Sequence, residues 1–160
     1  MAKRALDEQV RIAKGTSDDL GAVMRVMEDG FGDRFGEAWT RSQLAGILPM
    51  AGVGLSLARD EAEEVIGFSL TRSVGEESEL LLIAVAPERH RQGVGQLLLE
   101  DFVDRARAAG VRRVHLEVRD GNPAVAMYSA AGFTPVGRRP KYYRGQDGSR
   151  FDALTFARDV

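Results

Sequence analysis

Arg91-Gln92-Gly93-Val94-Gly95-Gln96 stands between an apolar run, Leu80-Leu81-Leu82-Ile83-Ala84-Val85, and a helical pattern, Leu97-Leu98-Leu99-Glu100-Asp101-Phe102. The stretch reads as a loop that turns directly into a helix. Two glycines remove Cβ atoms so that backbone can approach a ligand closely, and the unpaired amides and positive dipole end of the helix favour an anion. A pyrophosphate suits such a loop. Glycine pairs at helix starts also serve as plain tight turns, so the surrounding chain must decide between the two.

Two common phosphate loops are excluded. A dinucleotide fingerprint needs a third glycine where Leu98 stands and normally follows the first strand, not one past mid-chain. A nucleotide P-loop ends in Gly-Lys-Ser/Thr, whereas Gly95 is followed by Gln96.

Working outward, Val10-Arg11-Ile12-Ala13 has the look of a short strand. Thr16-Ser17-Asp18-Asp19 supplies caps for a helix with Leu20, Val23, Met24 and Met27 at helical spacing, ending near Asp29-Gly30. A glycine-rich loop, Phe31 to Gly36, precedes Trp39-Thr40 and a second short helix that carries Leu44, Ile47 and Leu48 up to Pro49. Val53, Leu55 and Leu57 alternate as a strand, and Val65 to Leu70 follows an acidic turn as its hairpin partner. Leu80 to Val85 is apolar on both faces, the mark of a central strand, with Val85 at its ligand-facing end.

Beyond the loop, Val94, Leu98, Phe102 and Ala106 form one stripe before Gly110, and Val114, Leu116 and Val118 alternate. Strand, helix, strand at this spacing predicts a right-handed crossover between parallel strands. Asn122-Pro123 opens a further helix to about Ala131; Phe133 to Val136 and Phe151 to Phe156 close the sheet. The expectation is one α/β domain, 1–160, of about seven mixed strands and four helices.

Composition narrows the chemistry. At 160 residues and 44% hydrophobic, the chain is long enough for one real core and too short for two ordinary domains. A formal net charge of −2 offers no global field for nucleic acid or an anionic membrane. Zero cysteines exclude disulfides, thiolate catalysis and Cys-ligated metals, and two histidines are few for a metal site. Met1 to Glu8 lacks the apolar region of a signal peptide and no run is long enough to span a bilayer, so a cytoplasmic protein without metal is expected.

In open sheets, ligands gather at the carboxyl ends of parallel strands. Glu117 lies near such an end, and with His115 it points away from the face of Val114, Leu116 and Val118. It is either a solvated residue or a functional one. Tyr128, on the following helix, is by itself more often a packing tyrosine with its hydroxyl satisfied than a functional one. His90 and His115 read as surface or sheet-face residues.

The combination resembles the GNAT superfamily of acyl-CoA-dependent N-acetyltransferases over nearly the whole chain. His90 through Gly95 fill its phosphate-loop pattern, with His90 where that family carries Gln or Arg. Within it the chain is most similar to bacterial ribosomal-protein alanine N-acetyltransferases, on Ile83-Ala84-Val85, Arg91 to Gly95, Leu116-Glu117-Val118-Arg119, Ala126-Met127-Tyr128, Gly132-Phe133, Arg138 to Tyr143 and Asp152-Ala153. Trp39-Thr40 resembles that family's early substrate loop.

The resemblance implies a mixed sheet whose central parallel pair is splayed for acetyl-CoA. It implies coenzyme contacts at Ile83, Ala84 and Val85 and at Arg91, Gln92, Gly93, Val94, Gly95 and Gln96. It implies Glu117 as proton acceptor and Tyr128 as proton donor. Asn122 matches a coenzyme-contacting asparagine, although its spacing to Tyr128 is one residue short and it could instead be the helix cap. The implied acceptor is a protein N-terminus, that of ribosomal protein S18 for this family. Tyr142 and Tyr143, expected on the connection between the last two strands, would line its groove; Arg138, Arg139, Lys141 and Arg144 would attract an acidic partner or form a solvated face. A same-fold enzyme acting on lysine or a small amine, and a non-catalytic acyl-CoA-binding module, are the rival readings.

Overall fold

The structure, a computed structural model, describes residues 9–160. Met1 to Glu8, read above as lacking an apolar leader, lie outside the described residues. Among the described residues, seven strands form one mixed sheet in the order β1-β2-β3-β4-β5-β7-β6, with β4 and β5 parallel and every other pair antiparallel. The strands are β1 (Arg11–Lys14), β2 (Val53–Arg59), β3 (Val65–Val74), β4 (Glu77–Val85), β5 (Arg113–Arg119), β6 (Thr134–Arg144) and β7 (Arg150–Asp159). The helices among the described residues are α1 (Leu20–Phe31), α2 (Arg41–Ile47), α3 (Val94–Ala108) and α4 (Val125–Ala130), as a seven-strand, four-helix reading of the sequence expects.

The early helices start where the polar residues dictate. Thr16 accepts from the Asp18 amide while the Asp19 carboxylate accepts from the Thr16 amide, a reciprocal box that opens the turn into α1. Thr40 and Gln43 repeat the arrangement at α2. The helices cover opposite faces of the sheet. Val23, Met24, Met27 and Leu44 pack with Leu57, Phe68, Leu82 and Ala84 on one face, while Leu99, Phe102, Val103 and Ala106 pack with Val114, Leu116, Val118 and Phe156 on the other.

The parallel pair holds together only at its start. Its register runs from Glu77↔Arg113 to Leu80↔Leu116 and ends there, although β4 continues to Val85 and β5 to Arg119. A bulge is the local cause: Leu70 of β3 faces Leu82 and Thr71 faces Leu80, so Leu81 has no partner and β4 bends as it passes. Leu80 then joins the α3 face while Leu82 and Ala84 join the α1 face. The outcome is a sheet open at the carboxyl ends of its two central strands.

One expectation is corrected. The strand foreseen at Phe133 to Val136 runs on to Arg144, so Tyr142 and Tyr143 belong to β6 and not to the connection after it. Arg139 faces Ala153 and Tyr143 faces Phe151, leaving Pro140, Lys141 and Tyr142 opposite a single residue in a broad bulge. Proline and a turn-like Lys141 at φ 55° hid the strand from a reading based on alternation.

Candidate active site

The loop expected to bind phosphate is built as an N-terminus without a side-chain cap. After a 3-10 turn at Pro87–Arg89, Arg91 (φ 62°) and Gly93 (φ 85°) both adopt left-handed backbone, and no side chain caps α3. The first intrahelical bond of the turn runs from the Leu97 amide to the Gly93 carbonyl at 3.0 Å, so the amides of Val94, Gly95 and Gln96 precede it at the helix's positive end. The two glycines have different duties. Gly93 permits the left-handed turn, whereas a Cβ on Gly95 would lie 3.3 Å from Met127 Sδ, so Gly95 lets α3 lie close to α4.

His90, read as a surface residue, donates from Nε2 to the Val85 carbonyl at 2.8 Å and ties this loop to the end of β4. Its neighbours Arg91 and Gln92 are exposed. Ala86 donates to Ile66 at 2.8 Å, so by the alternation of an antiparallel ladder Ala84 turns its backbone toward β3 while Ile83 and Val85 turn theirs toward β5. The same alternation, set by Asp120 donating to Asp152 at 2.9 Å, turns the backbone of Glu117 and Arg119 toward β4. Past the last paired residues, the backbone of Ile83, the Val85 N–H and the Glu117 carbonyl therefore face the opening without a partner in the sheet.

Glu117 sits at this opening on the face opposite the buried Val114, Leu116 and Val118, as the strand period required. Its side chain is 15% exposed and its Oε1 lies 2.7 Å from Nε of the much more exposed Arg139 on β6. Tyr128 is 5% exposed on α4, edge-on to Phe133 with ring centroids 6.2 Å apart. Burial first, then the neighbouring Tyr143 and the charge of Glu37, push its phenol well above the ordinary value, so it holds its proton. Tyr143 is raised in the same way, by burial and then by Glu37, Glu117 and Tyr142, with Arg119 opposing. Tyr142 is exposed and meets Tyr143 edge-to-face at 5.0 Å. Trp39 is partly buried against the α1 face, next to the cap of α2.

Asn122 spends both ends of its amide inside the protein. Its Oδ1 accepts from Ala124 N at 2.8 Å, capping the turn into α4, and its Nδ2 donates to Glu37 at 2.8 Å. Glu37 also pairs with Arg119, Nε to Oε1 at 3.2 Å, and both side chains are nearly excluded from solvent. The sequence reading missed Glu37; its lone position in a loop bears no periodic signal, and its partners lie more than 80 residues away. The basic run on β6 is less free than its charge suggests. Arg138 is held by Asp120 and Asp152 at 2.9 and 2.7 Å, and Asp152 also accepts from the Lys141 amide at 2.9 Å, pinning the bulge. That amide, then Arg138, keeps the Asp152 carboxyl below its usual value.

Among the described residues, no helix is long and apolar enough to cross a membrane. Residues 22–133 match the Acetyltransferase (GNAT) family. The chain is 35% identical over 103 residues to the [Ribosomal protein bS18]-alanine N-acetyltransferase of Haemophilus influenzae, covering 64% of this chain and 70% of that protein. It is 40% identical over 95 residues to the enzyme of the same name from Escherichia coli strain K12, covering 59% and 64%. The crystal structure of the ribosomal-protein-S18-alanine N-acetyltransferase from Escherichia coli superposes with a TM-score of 0.85 at 29% identity, covering 94% of each chain. Arabidopsis thaliana NAA60, crystallised with acetyl-CoA, shares the fold with a TM-score of 0.80 at 18% identity over 94% of this chain and 98% of that one. With an open parallel pair, an uncapped helix start beside it and a family match over most of its length, the chain belongs to the Acetyltransferase (GNAT) family and is an acyltransferase.

Proposed function

We propose that this acetyl-CoA-dependent N-acetyltransferase acts on the α-amine of a protein N-terminus, with the N-terminal alanine of ribosomal protein S18 as its acceptor. The observation that carries the reading is the parting of β4 from β5 beyond Leu80 and Leu116, with the uncapped start of α3 beside it and Glu117 at its edge. The named relatives support the acceptor.

Acetyl-CoA fits the residues present. The amides of Val94, Gly95 and Gln96, with Arg91 and Gln92 beside them, suit its diphosphate. The backbone of Ile83, the N–H of Val85 and the carbonyl of Glu117, which the sheet leaves unpaired, suit the amide-bearing arm that leads to the thioester, which supplies the activated acyl group. Asn122 serves this end chiefly by starting α4.

Acyl transfer to an amine requires a neutral nucleophile, a stabilised oxyanion and a protonated leaving thiol. Glu117, directly or through water, takes the amine proton, and Arg139 holds its carboxylate at the groove until the acceptor arrives. The Val85 N–H donates to the carbonyl oxygen as charge develops there. Tyr128 offers its O–H to the departing sulfur. Trp39, Tyr142 and Tyr143 line the acceptor side. An α-amine with a pKa near 8 is roughly 10% neutral at pH 7, against roughly 0.04% for a lysine near 10.4, so the N-terminus suits a modest base.

Mass spectrometry of peptides incubated with enzyme and acetyl-CoA tests this. Peptides with a free N-terminal alanine should gain one acetyl group, and their N-blocked counterparts none. Acetylation confined to blocked, lysine-containing peptides would replace the α-amine reading with the lysine one.

A further inference from the structure

Glu37 is a buried carboxylate that the acyl-transfer chemistry leaves unused. It lies in the connection between α1 and α2 and divides its oxygens, Oε1 to Arg119 and Oε2 to Asn122. Arg119 ends β5, the strand of Glu117, and its guanidinium also lies 3.5 Å from the centroid of Phe35 and donates to the Asp120 carbonyl. Asn122 caps the turn into α4, the helix of Tyr128. One carboxylate thus joins the early loop to the elements that carry both proposed catalytic side chains.

The loop is also pressed onto the β6–β7 hairpin. A Cβ on Gly36 (φ 68°) would fall 2.0 Å from the Arg144 carbonyl oxygen, and one on Gly145 would fall 2.3 Å from that of Arg34. Phe35 meets Phe151 edge-to-face at 5.1 Å. The segment therefore lies beside Tyr143, at the side of the opening where an acceptor must enter. Desolvation largely offsets the attraction within a buried ion pair, so net stability is a weak reason for such a pair.

We propose that Glu37 is a positioning residue for the acceptor: through Arg119 and Asn122 it holds the 32–40 loop as one wall of the peptide groove, so recognition of the acceptor chain depends on it while coenzyme binding does not. This rests on the α-amine reading of the site. Its role lies in fixing the loop, and it makes no contact with the reacting atoms.

The test is the double variant Glu37→Gln/Arg119→Met, which removes both charges and leaves no unpaired buried ion, with Glu37→Asp alone, which keeps the charge and shortens its reach, as the milder companion. Melting curves establish folding, calorimetry gives the acetyl-CoA Kd, and steady-state rates are taken on a hexapeptide with a free N-terminal alanine and on alanine amide, which is too short to use the groove. For the folded double variant, kcat/KM on the hexapeptide should fall about 10- to 100-fold, mainly through KM, as expected for a displaced positioning element. Acetyl-CoA Kd and kcat/KM on alanine amide should stay within about twofold of wild type, as expected when the reacting groups are undisturbed. Glu37→Asp should show the same split in smaller measure, and it decides the matter if the double variant does not fold. Unchanged hexapeptide KM, or an equal loss on both acceptors, would overturn the proposal. Wild-type enzyme inactive on every free-N-terminus peptide would instead overturn the α-amine reading, and the groove role with it.

Discussion

At the scale of single residues, the two catalytic candidates are placed by opposite devices. Glu117 is kept at the opening by an ion pair to an exposed partner, Arg139, whereas Tyr128 is kept protonated by burial. Replacing Glu117 by Gln should lower kcat by about 10²- to 10⁴-fold, the range for losing a general base, with the acetyl-CoA Kd unchanged by calorimetry. Undiminished turnover would end its role as base. The raised phenols of Tyr128 and Tyr143 carry a stability consequence whose sign is definite. Below the ordinary phenol value both folded and unfolded chains keep these protons. Above about pH 10 the unfolded chain releases them while the native one does not, so stability falls as pH rises. Melting temperatures measured from pH 9 to 11 should drop, and Tyr128→Phe should flatten part of the drop.

At the scale of elements, the site depends on how close helix, strand and loop can approach. Gly67 of β3 illustrates this, since a Cβ there would lie 3.1 Å from the Ala84 carbonyl oxygen and 3.2 Å from Leu98, between the sheet and α3. Gly93 sets the turn into α3 at φ 85°, where a side chain costs about 1–2 kcal/mol. Gly93→Ala should therefore lower the unfolding free energy from urea titration by an amount in that range if the turn is kept. If the turn relaxes instead, the loss should appear in the acetyl-CoA Kd, about tenfold for each 1.4 kcal/mol. A variant matching wild type in both measurements would show that the left-handed turn is not needed.

At the scale of the whole molecule, one sheet carries apolar clusters on both faces, and β4 and β5, which bound the opening, contribute to both sides. A ligand seated there would bridge the two halves and bind only the folded chain. Acetyl-CoA at about 100 times its Kd should contribute about 2.7 kcal/mol and raise the melting temperature by about 5–10 °C for a chain of this size. A melting temperature unmoved by coenzyme in folded protein would contradict the reading of the opening as its site.

Element order, the parallel crossover and the glycine turn into α3 were legible in the residues, because apolar period, capping residues and glycine placement are local signals. The alternation of Val114, Leu116 and Val118 alone put Glu117 on the other face. Tertiary structure decided the rest. The bulge at Leu81 that opens the parallel pair, the His90 bond to Val85 and the β6 bulge held by Asp152 depend on partners distant in sequence or on local backbone geometry without a residue signature. Glu37 is the extreme case, a loop carboxylate without periodic context whose meaning comes from Arg119 and Asn122 brought to it by the fold. Periodicity reports which face a residue takes within its own element; only packing reports what it meets there.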